Sequence, residues 1–356
     1  MFVCLFFLLH CSSSSNSLGM RLRKEIKRIL RKLLPCLFLM ALFVLGFTLF
    51  KLQVEYDKKF LSFERHSMYS LEENMIEMSS KILEGGSVMV PTINDHPYQY
   101  VHNANNLCKK DKVNTLILIK SPAKNYRLRH VIRHTMMKDI YGKRYDDVQI
   151  AFLLGYSHRD RFIIGNEHEV FNDIIQEDFI DSHRNSTLKV IMGYNWVTQF
   201  CKNAEYVVIM DDDIIVNIEI LNQYLFLVKS GKRKSIYTGK VFTNEAPDRR
   251  LGGEQSVTFS EYPFDLYPDF VDGSFILHNQ ECVRKFQSVF PFVKYFPIHD
   301  IYLGIVAHKL GISPVHNIFV KTDRDKHFKN DVKAMAERLS QDSDIYYDTY
   351  ISMIKG

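Results

Sequence analysis

The chain has 356 residues, 46% of them hydrophobic and 24% charged, which is ordinary globular composition and excludes pervasive disorder. The formal net charge of +5 is confined to one short segment, where Arg21, Arg23, Lys24, Lys27, Arg28, Arg31 and Lys32 face only Glu25. The remainder is close to neutral, so no general basic surface is left for a nucleic-acid backbone.

Read in chain order, Met1–Ser15 is apolar and serine-rich without a basic leader, and leaves open a genuine extension or a start at Met20. The basic segment runs into "LLPCLFLMALFVLGFTLF", Leu33–Phe50, which has no charge and as a helix spans about 27 Å. Basic residues on one flank predict a single-pass anchor with residues 1–32 cytosolic and everything after about residue 51 across the membrane. Residues 51–107 read as a stem, broken by "GGSVMVPTINDHP". Strands are expected at "VNTLILIKS", "VQIAFLLG" and "AEYVVIMDDDIIV", with helices over Val131–Tyr141, Glu167–Phe179 and Leu188–Cys201. That alternation predicts an α/β domain, over about residues 108–330, with a mostly parallel sheet. A final helix is expected over Ile301–Leu310, and residues 331–356 form a helical tail.

Cys108, Cys201 and Cys282 are the cysteines beyond the anchor, enough for one disulfide and one free thiol in an oxidising lumen. Asn185-Ser186-Thr187 is an N-glycosylation sequon, meaningful if the domain is lumenal.

The chemistry concentrates in "VVIMDDDIIVN", Val207–Asn217. At about 4 Å and an effective dielectric near 20, each pair of adjacent carboxylates costs roughly 4 kcal/mol. Packing has no use for that. Strand geometry puts Asp211 and Asp213 on one side and Asp212 on the other. Hard oxygen donors at a strand end suit Mn²⁺ or Mg²⁺, whose shell substrate phosphates complete.

Around the triplet the sequence resembles the β-1,3-galactosyltransferase-like glycosyltransferases, a family that includes β-1,3-N-acetylglucosaminyltransferases. "HNANNLC", "RHVIRHTM", "FLLG", "DIIQEDFIDSHRNSTLK", "GYNWVTQFC", "VVIMDDDIIVN", "YPFDLYPDFVDGSFIL" and "HDIYLGIVAHKLGI" follow in the family's order. The resemblance implies a Rossmann-like GT-A fold behind the anchor, a UDP-sugar donor and inverting transfer to a 3-hydroxyl. It implies metal and diphosphate binding by Asp211 and Asp213, with Asp212 beside them in the cofactor site and His327 as a candidate third metal ligand. Asp300 becomes the general base, where the bare sequence also allows a helix cap. Arg129 and Arg133 become candidates for the donor phosphates, and Cys108 and Cys201 occupy family cysteine positions whose pairing is suggested. Trp196 reads as core.

The sequence departs from the family at Met136, where tryptophan is usual, and at His299, where the usual residue is glutamate. "GEQSVTF" lacks the family's KW pair. The reading is a type II Golgi membrane enzyme transferring galactose or N-acetylhexosamine to a glycan of protein or lipid. Its partners are the UDP-sugar donor, the glycan acceptor and the lipid bilayer, with a homo- or hetero-oligomer open. The alternatives are a catalytically silent partner or chaperone of other transferases and a membrane-anchored sugar-binding protein.

Overall fold

The computed structural model describes residues 17–66, 74–109, 112–142, 145–229, 231, 234–250, 252–322, 334–338 and 343–355. The chain divides into a smaller unit ending at Ser62 and a larger one beginning at Phe63. A helix over Ser17–His66 accounts for the described part of the first. Within it, Lys24–Val54 is long and apolar enough to cross a membrane, with a mean hydropathy of 2.5. Its Leu and Phe side chains lie exposed from Leu33 to Leu52, a surface suited to lipid and costly in water.

The larger unit is built on an eight-stranded sheet. In chain order the strands are β1 (Tyr100–His102), β2 (Val113–Lys120), β3 (Val148–Tyr156), β4 (Ile174–Ile180), β5 (Ala204–Asp211), β6 (Ile214–Val216), β7 (Tyr237–Phe242), β8 (Phe270–Asn279), β9 (Val315–His316), β10 (Val320–Lys321) and β11 (Ala336–Arg338). The large sheet runs β1-β4-β3-β2-β5-β8-β7-β9, and β10-β11-β6 form a small second sheet. β4, β3, β2 and β5 are parallel, whereas β8 is antiparallel to both β5 and β7. The chain lays down β2, β3 and β4 outward in one direction and then returns to add β5 on the other side of β2. A crevice opens at such a reversal, outside the carboxyl ends of the two strands, and open α/β sheets bind ligands there.

The parallel strands are apolar nearly throughout because both faces are covered. Leu116 and Leu118 of β2 enter one core with the helix Ser186–Phe200, while Ile117 and Ile119 enter the other with the helix Tyr126–Ile132.

Three sequence expectations change. The helix expected over Glu167–Phe179 is instead a helix over Arg161–Phe171 followed by β4. Asn172 ends it in the left-handed conformation (φ 50°), a position asparagine tolerates better than most residues. The supposed stem is partly domain: Met75 and Met78 of a helix over Met75–Leu83 are buried in the core, and β1 extends the sheet against β4. The C-terminal tail is likewise integral, since β11 pairs with β6 and Tyr346 and Tyr350 of the helix Ser343–Lys355 are buried.

Candidate active site

A cleft of about 1080 Å³ lies at the carboxyl ends of β2 and β5, and its lining includes Lys120, Asp211, Asp212, Asp272, His299, Asp300 and Arg338. Sheet register creates the first contact. Lys120 and Asp211 are opposite each other in the β2–β5 ladder, and Lys120 Nζ sits 2.6 Å from Asp211 Oδ1. The ammonium also donates to Gly273 O at 2.8 Å and to His299 Nε2 at 2.6 Å. Burial, aided by the Lys120 charge, pushes the His299 imidazole down to about 3, so it is neutral and accepts that bond. Gly273 is required here: a Cβ on it would lie 2.3 Å from His299 Nε2.

The aspartates divide as strand geometry predicts. Asp211 and Asp213 meet one guanidinium, that of Arg338, whose Nη2 is 2.7 Å from Asp211 Oδ2 and whose Nη1 is 3.1 Å from Asp213 Oδ2. Burial acts to raise the Asp211 carboxyl, but Lys120 and Arg338 outweigh it and hold it at about 2. Asp212 turns the other way, accepting from Ser121 Oγ at 2.7 Å and Asn125 Nδ2 at 3.0 Å. Burial raises its carboxyl above the usual range despite those donors.

Among the described residues no cluster of three or more His, Cys, Asp and Glu is placed to hold a metal ion. The residues nevertheless fit one in part. A single guanidinium spans Asp211 and Asp213, so the two carboxylates face one cationic group. His327 lies outside the described residues.

Asp300 belongs to the helix His299–Lys309. Ile298 occupies the N-cap position without a side-chain capping bond, and Asp300 stands in the first turn, where its Oδ1 accepts from Ile301 N at 2.9 Å. Burial, with Asp272 nearby, raises its carboxyl to about 6, where it both ionises and accepts a proton near neutral pH. Ser274 Oγ and Tyr267 Oη, of two residues in the cleft lining, are buried with no hydrogen-bond partner among the described residues.

Arg129 and Arg133 are elsewhere, and the expectation that they reach donor phosphates is corrected. Arg129 is fully buried, its Nε and Nη2 each 2.8 Å from Glu167, with further bonds to Ser121 Oγ, Pro122 O and Ala123 O. Arg133 donates to Asp173 through Nε and Nη2 at 2.7 Å and to Glu167 at 2.6 Å. Burial opposes the Arg133 charge, but its two carboxylates more than restore it. Arg129 therefore braces the cleft lining by holding the Ser121 hydroxyl and the carbonyls of Pro122 and Ala123. Asn185 is half-buried, its amide donating to Ile180 O at 2.8 Å. Cys108 and Cys201 are joined as a disulfide, and Cys282 is free and buried. Trp196 is buried, its Nε1 donating to Asn103 Oδ1 at 2.8 Å.

The sequence reading overlooked Lys120 and Arg338. Lys120 had a signal, a lone charge ending an apolar strand; Arg338 had none, because its strand is three residues long.

A cleft at the switch point, with acids at a strand end and a second, buried acid in its lining, suits a group-transfer enzyme. Residues 127–318 match the galactosyltransferase family. The chain is 32% identical over 237 residues to beta-1,3-galactosyltransferase 1 of Mus musculus, covering 65% of this chain and 71% of that protein. Homo sapiens beta-1,3-galactosyltransferase 1 matches equally. Lactosylceramide 1,3-N-acetyl-beta-D-glucosaminyltransferase A of Xenopus laevis is 29% identical over 231 residues, covering 62% of this chain and 61% of that protein. The chain belongs to the galactosyltransferase family and is a hexosyltransferase. Among solved structures, the WbbM bifunctional glycosyltransferase is similar at a TM-score of 0.37 and 11% identity, covering 69% of this chain and 50% of that one. That likeness is too slight to add to the assignment.

Proposed function

We propose that this protein transfers galactose or N-acetylhexosamine from a UDP donor to a glycan 3-hydroxyl with inversion, making a β-1,3 bond. The observation that carries the reading is convergence: Asp300, raised to about 6, and Asp211, which shares the Arg338 guanidinium with Asp213, line one cleft at the β2–β5 switch point.

Asp300 takes the proton from the attacking hydroxyl as the new glycosidic bond forms. Inversion needs one carboxylate for that task and no covalent intermediate. Asp211 and Asp213 would hold Mn²⁺ or Mg²⁺, which supplies charge stabilisation for the leaving diphosphate. Lys120 adds a fixed positive charge beside them, and Ser274 and Tyr267 offer hydroxyls for sugar orientation. Neutral His299 holds the Lys120 ammonium in place where the family resemblance would put a second acid. The names of the relatives, a galactosyl and an N-acetylglucosaminyl transferase, support a hexose or N-acetylhexosamine donor.

The test assays the full chain in detergent for transfer from UDP-galactose and UDP-N-acetylglucosamine to simple β-linked acceptors in Mn²⁺. Transfer with a new β-1,3 bond is expected. Binding of UDP without turnover on any acceptor would favour the silent-partner reading, which the departures at Met136 and His299 keep in view. A separate thermal-shift measurement addresses the aspartates. Mn²⁺ plus UDP should raise the melting temperature of wild type, and Asp211→Asn or Asp213→Asn should abolish that rise. Equal shifts in all three proteins would mean that the triplet binds no metal.

A further inference from the structure

The C-terminal strand puts a positive charge where the acidic triplet would hold its cation. Arg338 pairs in the β6–β11 ladder with Ile214, the residue following Asp213, and this register delivers its guanidinium to both Asp211 Oδ2 and Asp213 Oδ2. Lys120 holds the other Asp211 oxygen, at 2.6 Å. Arg338 also lines the cleft that holds Asp300, and its side chain remains 22% exposed.

A divalent ion shared by Asp211 and Asp213 would need an Asp211 oxygen, and Lys120 and Arg338 occupy both of those. A guanidinium displaced from those oxygens can pair with the anion that arrives with that ion, the donor's diphosphate. Arginine suits both states, because its planar fork pairs with two carboxylate oxygens or with two phosphate oxygens, whereas lysine offers a point charge. The backbone of β11 need not move, since its pairing with β6 and β10 is independent of the side chain.

We propose that Arg338 is a donor-binding residue that serves as an exchangeable counter-charge: it bridges Asp211 and Asp213 in the empty cleft and transfers to the diphosphate when the nucleotide-sugar binds. This rests on the UDP-sugar reading above. It also makes the C-terminal segment part of the donor site, outside the span that matches the family.

The test is calorimetric titration of the full chain in detergent, first with Mn²⁺ alone and then with UDP at saturating Mn²⁺. Wild type is compared with Arg338→Gln and Arg338→Lys, with melting temperatures as the check on folding. Arg338→Gln should bind Mn²⁺ alone about tenfold more tightly, because its competitor is gone. The same variant should bind UDP about tenfold more weakly, as expected for the loss of a charge-assisted hydrogen bond. Arg338→Lys should return Mn²⁺ affinity toward wild type while recovering UDP affinity only in part. Folded Arg338→Gln with unchanged UDP affinity, or with weaker Mn²⁺ binding, overturns the proposal. If Arg338→Gln does not fold, Arg338→Lys decides: UDP affinity equal to wild type overturns it. Wild type that binds neither Mn²⁺ nor UDP removes the donor-site reading itself, a different failure from that of Arg338 alone.

Discussion

In the proposed reaction Asp300 owes its role as base to its surroundings. A solvated aspartate ionises near pH 4 and is a weak base. Burial, reinforced by Asp272, disfavours its charge and raises it to about 6. The ionised form must do the work, so kcat/KM should be level above about pH 6 and fall roughly tenfold per pH unit below it. Replacing Asp300 with asparagine should lower turnover by about 10²–10⁴-fold while leaving UDP affinity nearly unchanged. Steady-state rates across pH, together with UDP titration, check both. Near-normal turnover in Asp300→Asn would assign the base to another residue. The motif made Asp300 legible from sequence, but its neighbour His299 was legible only as a departure. Only the fold shows that a neutral imidazole there supports Lys120, and that Gly273 leaves room for it.

At the level of elements, the strands and helices that could be read were those whose pattern is local. β2, β3 and β5 are apolar runs long enough to need covering on both faces, and they stand where expected. β4 was hidden because its residues continue the spacing of the preceding helix, and only Asn172 marks the break. β8 was masked by the glycine at its centre, which close packing against His299 demands. Arg129 and Arg133 illustrate a different limit. Their motif was visible, but a helical arginine aimed at a phosphate and one aimed at a buried acid look alike in sequence. In the fold, Arg133 ties its helix to Asp173 at the start of β4 and to Glu167 on the helix before it. Arg133→Met should therefore destabilise the protein by about 3–5 kcal/mol, because it strands the buried Asp173 carboxylate, while Glu167 keeps its pair with Arg129. Denaturant unfolding should show that loss, with UDP affinity of the folded protein preserved. Normal stability with tenfold weaker UDP binding would return Arg133 to the donor site.

Across the whole molecule, compartment and fold make linked demands. The Cys108–Cys201 bridge closes a loop of 93 residues, tying the approach to β2 to the end of the helix Ser186–Phe200. On a chain-entropy basis, replacing both cysteines with serine should cost about 4–5 kcal/mol, visible as a lower melting temperature. Such a bridge persists in an oxidising lumen and not in the cytosol. The apolar stretch within Lys24–Val54 and the basic cluster at its N-terminal side would deliver the larger unit to that lumen. Two independent readouts follow from this orientation. In sealed microsomes, added protease should spare everything beyond about residue 55 until detergent opens the vesicles. Asn185 should also carry a glycan that an endoglycosidase removes, although in the folded protein its amide faces Ile180. Digestion of the large unit in sealed vesicles would place the cleft on the cytosolic side, where the disulfide has no support. An unglycosylated but protected chain would keep the orientation and discard only the sequon.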